Sequence, residues 1–497
     1  MSRAYLGIDI GTFESKGVVV AGDGRVLASA RRPHRMIVPR AGWAEHDAEA
    51  AWWGEFASIS RELTADAAVS ASEIRAVGAS GIGPCMLPVD ADGQPLMNAA
   101  LYGVDTRAAA EIEELTAEIG RDALLASGGN LLTSQSVGPK ILWLRKHRPE
   151  LFARTDKILN SNSFLVRRLT GRTVIDHYSG CGFSPLYDIA TRSWTDRYAD
   201  RIVAPERLPE LCWSTDVVGG VTAAAAEATG LMPGTPVIAG TIDAASEAVS
   251  VGVCGPGQMM VMYGSTIFII LVTDRRVEDP RLWYSPWLFE GRHACMAGLA
   301  TSGTLTHWFR DQFARELDPA EAMRRLAEEA ATSPAGAKGL VVLPYFSGER
   351  TPIHDPYAKG MIFGLDLTHE RQDLYRAVLE GIAYGVRHVL DTYAENARLP
   401  EAIAAVGGGT RNDVWFQAVS DAVRRPQVLR RETIGASYGN AFLAALGVGD
   451  AAEGDIEQWN PSERAVAPVD ANRSVYDAGY RLFRQLYDRN KDLMRPT

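Results

Sequence analysis

Residues 7–17 read GIDIGTFESKG and run straight into three valines, Val18, Val19 and Val20. Tyr5, Leu6, Ile8 and Ile10 form the short apolar run of a buried strand, Gly11 and Thr12 interrupt it, and β-branched residues resume at Val18. The stretch therefore reads as strand, turn, strand. Asp9 lies inside the first strand next to the turn, which adds hydroxyls at Thr12 and Ser15 and a cation at Lys16. Backbone N–H groups freed at a glycine-containing turn cradle phosphate, and a carboxylate beside them holds Mg2+ through water. The stretch is a candidate nucleotide-phosphate site; an ordinary N-terminal hairpin with a solvated aspartate is the alternative. The Walker pattern and a GxGxxG leading into a helix are both missing here, so an ATP site at this position is of the hairpin type.

Working outward, 497 residues are too many for one core and point to two large domains or about three smaller ones. A hydrophobic content of 46% and a charged content of 23% are those of a globular protein. The net charge of −10 argues against nucleic acid or an anionic membrane as partner. The five cysteines form no CxxC pair and the nine histidines no HExxH, which fits buried thiols in a reducing compartment rather than disulfides or zinc. The N-terminus carries no basic and apolar leader, and the apolar run around Ile267 to Val272 is far short of a membrane span. The expected location is the cytoplasm.

Beyond the hairpin, Asp47 is placed to cap a helix carrying Trp52, Trp53, Phe56 and Ile59 at helical spacing, with the tryptophans as core. Residues 74–79 read as a strand ending in Ser80, Gly81, Ile82, Gly83 and Pro84. Asp105 and Arg107 precede a helix expected near Ala108, either as a cap with its ion pair or as a clamp on a polyol. Residues 237–252, VIAGTIDAASEAVSVG, read as a strand, a turn carrying Asp243 and a helix. MMVMYGSTIFIILV, residues 259–272, is again strand, turn (Gly264, Ser265, Thr266) and strand. Two such hairpins, about 250 residues apart, suggest a duplicated architecture with two like halves around a shared cleft. Residues 373–391 show one apolar helical face, and residues 403–406 form a strand that ends in Gly407, Gly408 and Gly409 before a helix near Asn412.

These features, with GMIFGLDLTHERQDLYRAVLE at 360–380, the GERTP loop and the GGGTRND turn, resemble the FGGY carbohydrate kinases over roughly nine-tenths of the chain, xylulokinase-like members above all. The resemblance implies an α/β fold of two ribonuclease-H-like domains of the actin and hexokinase superfamily around a central cleft. It divides the chain into an N-terminal sugar-side domain, 1–240, and a C-terminal ATP-side domain, 241–497. It implies Asp9 at Mg2+; Thr12, Ser15 and Lys16 on the phosphates, with Gly264, Ser265 and Thr266 gripping them from the other domain. It further implies Gly408, Gly409 and Asn412 around the adenosine of ATP, and Asp243 as general base.

At the sugar site the chain departs from the family. It has Ile82, Gly83, Pro84 and Cys85 where xylulokinases carry Gln-Met-His-Gly, and Ala244 after Asp243 where many have asparagine. Gly83, Pro84, Asp105, Arg107 and Asp243 are the expected substrate contacts. The expected reaction is ATP-dependent phosphorylation of a ketopentose such as D-xylulose, with ribulose, erythritol or glycerol as other acceptors. A homodimer is left open. An actin- or chaperone-like nucleotide switch, or a sugar sensor without catalysis, is the reading from another class.

Overall fold

A computed structural model describes residues 3–495. They divide into two compact units. The first runs up to Cys254 and also takes in Tyr284–Ala294 and Ile434–Pro461; the second comprises Gly255–Trp283, Cys295–Thr433 and the chain from Ser462 onward. The sequence reading draws one boundary between residues 240 and 241, whereas the chain changes unit at Cys254 and returns to the first unit twice. Among the described residues no helix is long and apolar enough to cross a membrane.

The first unit is built on a seven-stranded mixed sheet. Its strands are β1 (Ala4–Ile10), β2 (Glu14–Ala21), β3 (Val26–Pro33), β4 (Ile74–Gly81), β5 (Val217–Gly220), β6 (Pro236–Ile238) and β7 (Thr241–Ile242), in the order β5-β6-β4-β1-β2-β3 with β7 beside β4. β1 is apolar nearly throughout because it is covered on both faces, every residue being buried. β1 and β2 are antiparallel with Asp9 opposite Lys16. β4 runs parallel to β1 with Ser80 opposite Asp9, and β7 runs parallel to the end of β4 with Thr241 opposite Ser80. Asp9, Ser80 and the residue that follows β7, Asp243, thus gather at the carboxyl ends of parallel strands, where open α/β sheets bind ligands.

Helix α1 (Glu55–Thr64) follows a wider helical turn, Ala48–Gly54, which Asp47 caps by accepting from the Ala50 N–H at 3.0 Å. Trp52 is fully buried, as expected of a core residue. Helix α2 is Ser161–Thr170 and α3 is Asp243–Ser250. Asp243 is the first residue of α3, where the sequence reading has it in a turn.

The helix Ala436–Gly447 lies against β1 at glycines. A Cβ on Gly7 would stand 1.9 Å from the Ser437 carbonyl oxygen, and one on Gly439 would stand 1.8 Å from that of Ser246 in α3. Both neighbours are backbone and cannot swing aside. Gly7→Ala is therefore expected to lose at least the ~1–3 kcal/mol of an overpacked core. Thermal unfolding checks it; an unchanged melting temperature contradicts this close packing.

The second unit repeats the local plan. β8 (Met259–Tyr263) and β9 (Ile267–Thr273) form an antiparallel hairpin, and β10 (Ile403–Val406) runs parallel to β8. β11 (Gln427–Arg430) continues parallel to β10, and β12 (Ser462–Val466) closes antiparallel to β11. In both units, then, the first strand of a hairpin takes a parallel neighbour from later in the chain. Helix α4 (Arg371–Ala394) buries Ala377, Val378, Ile382, Val386, Val389 and Leu390 in the core of this unit. Helix α5 (Asp413–Val423) is capped by Asn412, whose side-chain oxygen accepts from the Trp415 N–H at 3.0 Å.

Candidate active site

The turn between β1 and β2 has its carbonyls fixed on one side. The Gly11 carbonyl meets His34 Nε2 at 3.1 Å, the Thr12 carbonyl meets His46 Nε2 at 3.1 Å, and the Phe13 carbonyl accepts from the His34 backbone N–H at 2.9 Å. A planar trans peptide points its N–H opposite to its C=O. The N–H groups of Thr12 and Phe13 accordingly face the other way, and neither has a hydrogen-bond partner among the described residues. Gly11 is required here, since a Cβ would sit 2.6 Å from the Glu14 carbonyl oxygen.

Of the residues expected on the phosphates, Thr12 has its hydroxyl 3.2 Å from that of Tyr102 and Lys16 lies 3.3 Å from the Glu14 carboxylate. Ser15 is fully buried and donates to Glu55 Oε2 at 2.5 Å, on the side of the turn that His34 occupies. Its hydroxyl is engaged away from the free N–H groups, a direction that a one-dimensional reading of the turn does not contain.

Three carboxylates lie close together beside this turn. Asp9 Oδ1 accepts from Ser80 Oγ at 2.6 Å, and Ser80 Oγ in turn accepts from Asn440 Nδ2 at 2.7 Å. Asn440 Nδ2 also donates to the Ile8 carbonyl at 2.9 Å, while its Oδ1 accepts from Ser246 of α3 at 2.7 Å. Ser80, Asn440 and Ser246 are all fully buried. This chain of bonds fixes one oxygen of Asp9 and leaves Oδ2 without a hydrogen-bond partner among the described residues. Asp243 Oδ1 accepts from the N–H of its neighbour Ala244 at 2.8 Å; its other oxygen has no partner among the described residues.

Burial pushes the Asp9 carboxyl up to about 6, against the pull of Ser80 and Lys16. Burial, followed by the charge of Asp9, raises Asp243 well above the usual carboxylate range. Burial and then Asp9 carry Glu247 up to about 7. Buried carboxylates, two of them raised further by the charge of Asp9, fit a cation brought in with a ligand. Among the described residues no three His, Cys, Asp or Glu side chains are arranged to hold a metal ion by themselves. The open oxygen of Asp9 is of the kind that takes part in a Mg2+ site, where one or two carboxylates are joined by waters and phosphate oxygens.

The strand before Asp243 is tied in by another buried aspartate that the sequence reading did not single out. Asp176 accepts from Thr241 Oγ1 at 2.8 Å, Ser214 Oγ at 3.1 Å and Asn162 Nδ2 at 3.2 Å, which ties β7 to the unit immediately before α3. The Gly83–Pro84 stretch runs alongside. A Cβ on Gly83 would lie 2.4 Å from Ile242 Cγ2, and both residues keep part of their surface open. Cys85 is fully buried, its N–H bonded to Asn160 Oδ1 at 2.7 Å and its thiol pushed up to about 12, mainly by burial.

Asp105 and Arg107 turn inward. Asp105 is fully buried and accepts from Arg107 Nε and Nη2 at 2.7–3.0 Å and from the Ala44 N–H at 2.8 Å. Arg107 Nη2 also reaches Glu45 at 2.8 Å, and its guanidinium lies over the ring of Trp43 at 4.0 Å. The two form a buried ion pair, and Arg107 Nη1 is left buried without a partner among the described residues. Nearby, buried Lys140 donates to the carbonyls of Leu101, Tyr102 and Ser134 at 2.6–3.0 Å, fixing the loop before Asp105.

The second unit presents its own prepared turn. The Gly264 carbonyl accepts from the Gly303 N–H and Ser302 Oγ at 3.1 Å each. The Ser265 carbonyl accepts from the N–H groups of Ser302 and Thr304 at 3.1 Å each and from Thr304 Oγ1 at 2.6 Å. The N–H groups of Ser265 and Thr266 are again without partners among the described residues. A cavity of about 860 Å3 adjoins, lined by Gly264, Ser265, Gly408, Gly409, Asn412 and Tyr375 among others. The structure thus brings the expected 264–265 and 408–412 residues to one pocket, of the size that small-molecule ligands use.

Two units with mixed sheets, each carrying a hairpin turn with two N–H groups unpartnered among the described residues, define an α/β protein of the actin and hexokinase-like class. Residues 4–250 match the N-terminal domain, and residues 259–448 the C-terminal domain, of the FGGY family of carbohydrate kinases, and the chain belongs to this family. A xylulose kinase of Bacillus subtilis is 29% identical, with 99% of this chain and 98% of that one covered. A xylulose kinase of Klebsiella pneumoniae is 30% identical over 99% of this chain and 100% of its own length. The crystal structure of xylulose kinase from Rhodospirillum rubrum superposes with a TM-score of 0.93 at 32% identity, covering 99% and 100% of the two chains. The protein is accordingly a carbohydrate kinase, with a small-molecule sugar as acceptor and ATP as phosphate donor.

Proposed function

We propose that the chain phosphorylates a ketopentose, with D-xylulose as first candidate, and that Asp243 accepts the proton of the attacking hydroxyl. One observation carries the role of Asp243: it is a raised, partly buried carboxylate at the start of α3 with one oxygen held by Ala244 and the other free. A base must lie within hydrogen-bond reach of the proton it takes, with its pKa moved toward the working pH. In a loose phosphoryl transfer the proton leaves late, so Asp243 aligns the hydroxyl as much as it removes the proton. The names of the similar proteins support xylulose as the acceptor.

Asp9, through its open Oδ2, is the residue to hold Mg2+, which when bound neutralises phosphate charge. The N–H groups of Thr12 and Phe13, with Lys16, take phosphate oxygens on the first unit; those of Ser265 and Thr266 do so on the second. Gly408, Gly409 and the amide of Asn412 line the adenosine pocket. Gly83, Pro84 and Asp243 contact the sugar, while Asp105 and Arg107 serve it by fixing the loop that carries Tyr102. A reducing cytoplasm suits five cysteines of which none is in a disulfide.

A coupled ADP-release screen across pentuloses, hexuloses, tetritols and glycerol tests the proposal. Turnover that needs both Mg2+ and sugar, and is greatest with D-xylulose, is the expected result. Greatest turnover with glycerol or a tetritol overturns the ketopentose assignment.

A further inference from the structure

We propose that His34 is a fixed imidazolium that positions the Gly11–Thr12–Phe13 turn for nucleotide phosphate, an inference that rests on the phosphate reading of that turn. Both ring nitrogens of His34 face groups that only accept: Nδ1 meets Glu55 Oε2 at 2.9 Å and Nε2 meets the Gly11 carbonyl at 3.1 Å. A neutral imidazole has a single N–H and would set a lone pair against one of them, whereas the imidazolium donates to both. The side chain is only 8% exposed, so water does not substitute for either partner.

His46 next to it is fixed in the opposite state. The Trp52 indole only donates, and it donates to His46 Nδ1 at 3.1 Å, which leaves the single proton on Nε2 for the Thr12 carbonyl. Two rings 4.9 Å apart, one charged and one neutral, therefore hold consecutive carbonyls of one turn.

The groups facing His34 are Glu55 from α1, the His46 ring, and the carbonyls of Gly11 and Thr12 from the turn. Burial pulls its pKa down, but Glu55, by hydrogen bond and by charge, and the two carbonyls outweigh burial and leave it raised. For His46 burial comes first and the charge of His34 second, and together they lower it to about 4. The His34 proton thus leaves as pH climbs through a value above the ordinary one. Once it has gone, the ring can no longer donate to both partners, and a cation beside the phosphate site is lost. Phosphate affinity should fall on the alkaline side.

The test uses the full chain and MgADP as probe, with dissociation constants measured by calorimetry from about pH 6 to about pH 9. His34→Gln is expected to weaken MgADP about tenfold at neutral pH, the size of one lost charge-assisted hydrogen bond, and to abolish the alkaline loss of affinity. Glu55→Gln keeps an acceptor for Ser15 and should move that loss to lower pH. Nitrogen-15 spectra of histidine-labelled wild-type protein should contain one ring protonated at both nitrogens at neutral pH, absent from His34→Gln. A neutral His34 at neutral pH, or equal MgADP affinity in wild type and His34→Gln, overturns the proposal. If His34→Gln does not fold, the wild-type spectrum and the Glu55→Gln shift decide. A wild type that binds MgADP with this pH dependence but phosphorylates no sugar overturns the function proposed above and leaves the role of His34 standing.

Discussion

Asp243→Ala lowers the sugar-dependent rate of ADP release by about a thousandfold, within the 10^2–10^4 range of a lost general base, while MgADP binding stays close to that of the wild type. The split follows from the geometry. The free oxygen of Asp243 has no partner among the described residues, and no backbone N–H of either prepared turn depends on it. Asp243→Asn separates its two roles, because the amide still orients a hydroxyl but cannot take its proton. If alignment carries most of the effect, the asparagine variant retains clearly more activity than the alanine one. Equal losses assign the effect to proton transfer, and an alanine variant with wild-type turnover removes Asp243 from the reaction. Asp243 is itself a carboxylate that burial and then the charge of Asp9 raise, so the alanine variant without ligand should unfold no earlier than the wild type.

Both hairpins were legible in the sequence because they need only local information. An apolar run broken by Gly11–Thr12, or by Gly264–Ser265–Thr266, has few other solutions. Asn412 was legible as the start of a helix for the same reason. The direction of Ser15 was not: on an alternating strand its hydroxyl faces either side, and the partner that decides, Glu55, lies 40 residues away. The burial of Asp105 and Arg107 was not legible either, since it depends on Ala44, Glu45 and Trp43, about 60 residues earlier. The bond from Asn440 to Ser80 spans 360 residues and leaves no periodic trace. Nor does the return of Ile434–Pro461 to the first unit, since a helix buried almost all round, Ala436–Gly447, does not say in its sequence which unit buries it. His34 and His46 carried no ligand spacing, and only their acceptors and donors give them a role.

Asp9→Asn is the second large effect, and it separates function from stability. The substitution keeps an oxygen for the Ser80 hydroxyl and the shape of the side chain, so the line of bonds through Asn440 to Ser246 survives. What it removes is the charge. Turnover should fall by roughly 10^2-fold or more, the scale on which a single electrostatic contact to a transferring group acts, and the Mg2+ concentration for half-maximal rate should rise. Stability moves the other way. The folded-state pKa of Asp9, about 6, lies above the ordinary value of 3.8, so the folded chain binds this proton more tightly than the unfolded chain. That contribution is complete at pH below the ordinary value and is lost as pH rises through about 6. The ionised carboxylate at neutral pH is therefore a burden on the fold without its ligand. Asp9→Asn should melt at or above the wild-type temperature near pH 7 and show less decline between about pH 4 and pH 7. A variant that melts earlier at neutral pH would assign Asp9 to holding β1 and β4 together, and an unchanged Mg2+ dependence would take the metal away from it.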